Sequence, residues 1–195
     1  MLLKMFGLAN NLSSVSRYSQ SHLIKSESVL EHSGFVALVC YTIGSRIPGI
    51  DMGELLSKAI VHDIDETITG DIPRPTRYAN NEIFEAINKV ERKNMMFISQ
   101  SILGNGIMYS DWQSAKDDTI EGTIVRIADS LAVLYKVWQE YTLYNSNTIV
   151  DHAKSVAESL ESIETTELEL ELIIAEAINL CSRILGEHHE NQNNK

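Results

Sequence analysis

An all-α fold is what this chain predicts, and three observations carry the prediction. Apolar residues recur at three- and four-residue spacings through most of the 195 residues. No stretch alternates apolar and polar residues between turn signals, so no strand is expected. The three prolines, Pro48, Pro73 and Pro75, fall between the periodic segments, and the sparse glycines gather near those breaks. At this length a single helical bundle with its own core is the simplest architecture. It covers 1–190, and 191–195 form a polar C-terminal tail.

In chain order, a first helix over about 2–12 ends at the Asn-Asn-Leu-Ser-Ser run. A loop through Arg17 and Tyr18 leads to Ser26 or Ser28, either of which can cap a helix bearing Val29, His32, Phe35, Val36, Val39 and Ile43. Asp51 caps the next helix, whose apolar Leu55, Leu56, Ala59 and Ile60 lead into His62, Asp63 and Glu66. The stretch 69–78 holds two prolines and a glycine and reads as loop. Asn80 or Asn81 opens a long helix to about Leu103, with Ile83, Ile87, Val90 and Met95 on one face. A loop is expected over 104–114, and then Asp117 or Asp118 caps a helix to about Tyr144. Helices from Thr148 to about Leu160 and from Thr166 to about Glu187 complete the bundle.

Composition narrows the function classes. The formal net charge of −11 argues against a nucleic-acid polymer as partner, because such proteins need a basic stripe. No apolar run approaches the roughly 18 residues of a membrane span, and the N-terminus lacks a signal-peptide pattern, so no membrane role is expected. Cys40 and Cys181 have no C-x-x-C spacing and read as buried thiols in a reducing compartment, the cytoplasm being the default. Apolar faces on the C-terminal helices suit a homo-oligomer.

The chemistry concentrates in His32, His62–Asp63 and Asp129. Two imidazoles and two carboxylates form a mixed nitrogen/oxygen set suited to Mn²⁺, Co²⁺, Fe²⁺, Ni²⁺ or Zn²⁺, whereas Ca²⁺ and Mg²⁺ prefer oxygen alone. On a helix, His62 and Glu66 are four residues apart and Asp63 and Glu66 three, so one face could carry all of them. Bland readings stand beside this one. His32 also suits a satisfied core histidine, His62 a buried histidine paired with its neighbouring Asp63, and Asp129, on the inward stripe between Ile127 and Leu131, a salt bridge to Arg126 or to another basic residue. The arrangement is not H-E-x-x-H, and there is no P-loop, no G-x-S-x-G and no nucleophilic cysteine context.

Context adds a resemblance. Arg17-Tyr18, the run Glu27 to Ser33, His62-Asp63-x-x-Glu66, Thr69-Gly70-Asp71-Ile72-Pro73-x-Pro75, Arg77-Tyr78 and Ala128-Asp129 together resemble the 5′-deoxynucleotidase branch of the HD-domain metal-dependent phosphohydrolases. The match runs in register over roughly 12–135, and the remaining C-terminal part is similar only in being helical. The resemblance implies an HD-type bundle that hydrolyses nucleoside 5′-monophosphates. By it, His32, His62, Asp63 and Asp129 are metal ligands, Glu66 is a catalytic carboxylate acting on the attacking water, and Asp71 is a second acid near the phosphate and sugar. Arg17 is the phosphate-binding arginine. Tyr18 stands where that branch commonly has Trp beside the sugar, which weakens selection for 2′-deoxy sugars.

Arg74 and Arg77 bring two cations beside this site. Their plain reading is solvated loop charge, and their functional one is contact with phosphates beyond the first. A deoxynucleoside triphosphate triphosphohydrolase on the same scaffold is therefore the competing enzyme. A nucleotide-binding helical protein without turnover is the non-enzymatic alternative, and Glu66 argues against it.

Overall fold

Residues 1–145 and 150–193 are described by the structure, a computed structural model, and they form ten helices with no strand among them. Helix α1 (Leu2–Ser14) is followed by a loop that returns along itself, so that Ser16 and Ser28 make an isolated antiparallel bridge. Helix α2 (Val29–Gly44) then begins at a capping box. The Ser28 hydroxyl accepts from the Glu31 N–H, and the Glu31 carboxylate accepts from the Ser28 N–H. Asp51 caps α3 (Met52–Val61) by accepting from the Glu54 N–H.

The expected continuation of α3 through His62 and Glu66 does not occur. His62 Nδ1 donates to the Ala59 carbonyl at 2.7 Å, competing for the oxygen that a continuing helix would offer to the Asp63 N–H. Residues 62–65 tighten into turns with i to i+3 bonds, and Glu66 opens a separate one-turn helix, α4 (Glu66–Thr69). Within 69–78, expected to be loop, one further turn of helix appears, α5 (Arg74–Arg77).

Asn80 caps α6 (Asn81–Leu103), as its position suggests. Only the C-terminal half of that helix is buried, through Met95 and Ile98, whereas Ile83 and Val90 face solvent. The segment expected as loop over 104–114 contains α7 (Ile107–Ser114). Side chains nucleate it, because the Ile107 N–H donates to Asn105 Oδ1 and the Tyr109 N–H to Ser99 Oγ. Met108, Tyr109 and Trp112 then pack on a small core formed by Leu12, Val29, Val61, Ile64, Met95 and Ile98.

Helix α8 (Ile120–Thr142) is capped by Thr119 rather than Asp117 or Asp118. Asp117 is taken by the Lys58 ammonium, 3.0 Å away and 2% exposed. A Cβ at Gly122 would come within 2.5 Å of the Asp117 backbone carbonyl, so the close approach of this turn requires glycine. Helices α9 (Val150–Glu161) and α10 (Leu168–Asn193) close the bundle. The proposed start at Thr148 lies outside the described residues, and α10 runs past Glu187 into the segment assigned to the tail. The main core joins Val36 and Cys40 of α2, Leu55 and Ala59 of α3, Ile124 and Ile127 of α8, and Leu160, Leu170 and Cys181 behind them.

A buried network ties the loop after α1 to the end of α8. Glu140, fully buried, accepts from the Ile24 and Lys25 N–H groups and from Asn145, and pairs with the equally buried Lys136, which also donates to the Lys25 carbonyl. Burial would raise its pKa, but these donors win and lower it to about 2 from an ordinary 4.5. Because the folded state depresses this pKa, the stabilisation is complete above pH ~4.5 and is lost as pH falls toward 2. Glu140→Gln, which strands the Lys136 charge, is expected to cost about 3 kcal/mol by urea unfolding at pH 7, and the deficit should shrink toward pH 3.

Candidate active site

Four helices and two loops converge on one cleft. Helix α2 supplies His32 from its first turns, the turn that follows α3 supplies His62 and Asp63, and the middle of α8 supplies Asp129. Their ligand atoms all lie within 4.8 Å of one another. His32 Nε2 is 3.0 Å from Asp129 Oδ1 and 3.3 Å from Asp63 Oδ2. His62 Nε2 is 3.0 Å from the same Asp63 oxygen and 3.3 Å from His32 Nε2.

The donor chemistry shows what this cluster can hold. A carbonyl only accepts, so the His62–Ala59 bond requires the proton on Nδ1. In the neutral ring, Nε2 therefore presents a lone pair to a carboxylate oxygen and to a second imidazole nitrogen. Such a face needs either an added proton or a cation, and a divalent metal bound through both Nε2 atoms and both carboxylates satisfies all four groups at once. His32 lacks the matching support, because its Nδ1 is buried with no partner among the described residues.

The electrostatics agree. Burial would raise the Asp63 and Asp129 pKa values, yet His62 and Lys116 hold Asp63, and Lys116 and His32 hold Asp129, well below the carboxylate range. Burial and Arg17 oppose a proton on His32, and the two carboxylates outweigh them and raise its pKa. The neighbouring acids move the other way. Burial, Asp63 and Asp71 push Glu66 up to about 9, and burial, Asp63 and Glu91 push Asp65 up to about 7. This is a site with more carboxylates than its own cations balance, which is the field a dication relieves.

Each remaining candidate has a definite place. Glu66 lines the cleft, with Oε2 buried and unpartnered. Gly70, at φ 71°, ends α4 in the left-handed region and turns the chain so that Asp71 accepts from the Tyr18 N–H at 2.9 Å. That bond helps hold Tyr18 at φ 57°, a conformation unfavourable for a bulky residue, with its hydroxyl buried and unpartnered. The Arg17 guanidinium donates to Glu27 at 3.0 Å and has its Nε unpartnered. Arg77 forms a two-pronged pair with Glu91, so its guanidinium is already committed. Arg74 lies against the Tyr78 ring with no ion pair among the described residues.

Two cavities, about 570 and 460 Å³, meet here and share Arg17, Asp71, Arg74, Lys116 and Asp129. The larger runs past Glu66, Asp65, Glu91 and Trp112, and the smaller past Tyr18, His152, Ser155 and Ser159. Sequence reasoning passed over Lys116, whose Nζ is 2.7 Å from Asp129 Oδ2. Trp112, which packs on the small core, also reaches the cavity wall, where its Nε1 donates to Asp65 Oδ1 at 2.7 Å. Of the salt bridges expected for Asp129, the structure shows the one to another basic residue, Lys116, and none to Arg126 among the described residues, since Arg126 bonds Thr123 and points to Asp118. An inward acid at helical spacing was legible, but its partner on a distant turn carried no local signal.

Known proteins share this chain's family and fold. A model of the family described as 5′-deoxynucleotidase YfbR-like matches residues 4–176, well beyond the in-register stretch of 12–135. A 5′-deoxynucleotidase of Enterobacter sp. (strain 638) is 25% identical over 175 residues, covering 84% of this chain and 85% of that one. Among solved structures, an HD-domain phosphohydrolase from Listeria innocua superposes with a TM-score of 0.71 at 25% identity, covering 95% of this chain and 99% of that chain. An HD phosphohydrolase of cyanophage S-2L, bound to dA and one catalytic Zn²⁺ ion, shares the fold at a TM-score of 0.60 and 16% identity, over 92% and 95% of the chains. The chain belongs to the YfbR-like 5′-deoxynucleotidase family.

Proposed function

We propose that this protein is a metal-dependent phosphohydrolase that releases orthophosphate from nucleoside 5′-monophosphates, 2′-deoxynucleotides included. The observation that carries the reading is the convergence of His32, His62, Asp63 and Asp129 at the wall of the larger cavity, which also holds Arg17 and Glu66. Family membership supports the same reaction class.

When bound by those four side chains, a divalent ion supplies Lewis acidity toward a phosphoryl oxygen and lowers the pKa of a water. Arg17 offers its free N–H groups to the phosphate oxygens, with Glu27 fixing the guanidinium. Glu66, whose buried Oε2 has no partner among the described residues, would accept the proton of the attacking water, and a dication held by the cluster would favour its carboxylate form. Asp71 and Tyr18 hold the sugar side through their mutual hydrogen bond. The mixed donor set favours a transition metal such as Mn²⁺, Co²⁺, Fe²⁺, Ni²⁺ or Zn²⁺ over Mg²⁺ or Ca²⁺.

A triphosphate substrate would need further cations; Arg77 is spent on Glu91, which leaves Arg74 as the cation able to reach phosphates beyond the first, and it is the family match that favours the monophosphate. Among the described residues no helix is long and apolar enough to cross a membrane, and both cysteines are buried thiols, which suits the cytoplasm. The exposed Leu168 and Leu172 of α10 support a homo-oligomer, measurable by light scattering.

A panel of nucleoside mono- and triphosphates assayed with Mn²⁺, Co²⁺ and Mg²⁺ tests the reading. Orthophosphate plus nucleoside from monophosphates is expected, with Mn²⁺ or Co²⁺ above Mg²⁺, and with activity lost to a chelator and restored by Mn²⁺. Tripolyphosphate as the product would establish the competing triphosphohydrolase. Nucleotide binding without turnover under every metal would make the protein a non-catalytic binder.

A further inference from the structure

We propose that Lys116 is a substrate-binding residue, the second cation after Arg17 to hold the phosphate. This rests on the phosphohydrolase reading above and extends it to a residue outside the recognised motifs.

The turn between α7 and α8 is built to hold Lys116 still. Ala115 before it is buried, and Asp117 after it is gripped by Lys58, which also bonds the α8 cap Thr119 at 2.8 Å and pairs with Glu54 at 2.8 Å. From that anchored backbone the side chain enters the junction of the two cavities. Its ammonium is 2.7 Å from Asp129 Oδ2 and 4.0 Å from Asp63 Oδ1. The other oxygen of Asp129 faces His32, so Lys116 stands immediately outside the candidate metal cluster, on its cavity side.

Charge accounting then decides what Lys116 does when the cluster is filled. Its ion-pair partners among the described residues are the two carboxylates that a dication would claim. Lys116 is thus left with a positive charge and no anion of its own, in a cleft whose Arg77 is committed to Glu91 and whose Arg17 is shared with Glu27. A phosphate placed at the metal supplies the missing charge. An ammonium has three N–H donors on a flexible stem, so one can stay on Asp129 while another reaches a phosphate oxygen. The competing role is purely local, with Lys116 serving only to orient Asp129.

Calorimetric titration of orthophosphate and, separately, of Mn²⁺ into wild type, Lys116→Met and Lys116→Arg distinguishes the two roles. For Mn²⁺-loaded protein, Lys116→Met should weaken orthophosphate binding about tenfold or more, while Lys116→Arg stays within about threefold of wild type. Mn²⁺ affinity of Lys116→Met should be unchanged or tighter, because a cation beside a ligand has been removed. KM for a monophosphate should rise in parallel with the orthophosphate Kd. If Lys116→Met melts below the assay temperature, Lys116→Gln carries the same comparison. No orthophosphate binding by Mn²⁺-loaded wild type, unchanged orthophosphate affinity in the variant, or a loss confined to Mn²⁺ affinity each overturns the proposal. A wild type that binds orthophosphate through Lys116 yet hydrolyses no nucleotide would instead remove the reaction assigned above and leave the phosphate contact standing.

Discussion

Asp63→Ala is expected to abolish divalent-metal binding and to lower monophosphate turnover by on the order of a thousandfold. One oxygen of Asp63 meets both imidazole nitrogens, at 3.0 and 3.3 Å, so its removal takes away a ligand and half of the anionic charge of the set. The remaining His32, His62 and Asp129 carry a single negative charge beside Lys116. Asp63 also pairs with His32, His62 and Lys116, which hold its pKa well below the carboxylate range, so the melting temperature of the metal-free variant is measured beside its metal content to separate lost ligation from lost fold. Bound Mn²⁺ per chain after equilibrium dialysis reads the first effect, and one equivalent retained by the variant would take Asp63 out of the ligand set.

Glu66→Gln should keep the metal and still lose turnover by about 10²- to 10⁴-fold, the range for deleting a general base. The amide fills the same volume and preserves the packing of α4, but it cannot accept a proton from water. Position supports the assignment. Glu66 opens its own one-turn helix beyond the ligand pair, and its Oε2 is buried at the cleft with no partner among the described residues. Burial and nearby carboxylates hold its pKa at about 9, so the acid form dominates at pH 7 until positive charge arrives beside it. Retained metal with wild-type turnover would assign the proton transfer elsewhere, with Asp71 the next acid to substitute.

The parts of this architecture legible in the sequence were those encoded locally. Ser28 with Glu31, Asp51 and Asn80 announce helix starts because a cap and its N–H partner lie within three residues. The His and Asp candidates were legible for a different reason, as polar groups placed where helical spacing demands apolar ones, in a context resembling a known family. What escaped were features created by contacts across the chain. Asp117 would cap α8 were it not for Lys58, 59 residues earlier, which claims it and passes the role to Thr119. Helix α7 owes its start to Asn105 and to Ser99 on the preceding helix, and a short segment rich in glycine before it gives no periodic cue. The break after Val61 follows from one side-chain bond, His62 to Ala59, that also orients a candidate ligand.

Local strain and buried charge lie along the walls of the two cavities and the loop behind them. Tyr18 in the left-handed region is fastened by Asp71, and its loop is tied down by the Glu140–Lys136 network. Stability in this region is thus coupled to the placement of Arg17 and Tyr18 rather than to the main core. These bonds fasten the two site residues that lie on a loop.

Anomalous diffraction from a crystal soaked in Mn²⁺ confronts the claim on which mechanism and specificity both depend. A single strong peak is predicted about 2.2 Å from His32 Nε2, His62 Nε2 and one oxygen each of Asp63 and Asp129. A peak elsewhere, or a fully loaded protein with these four side chains outside the coordination sphere, would contradict the account.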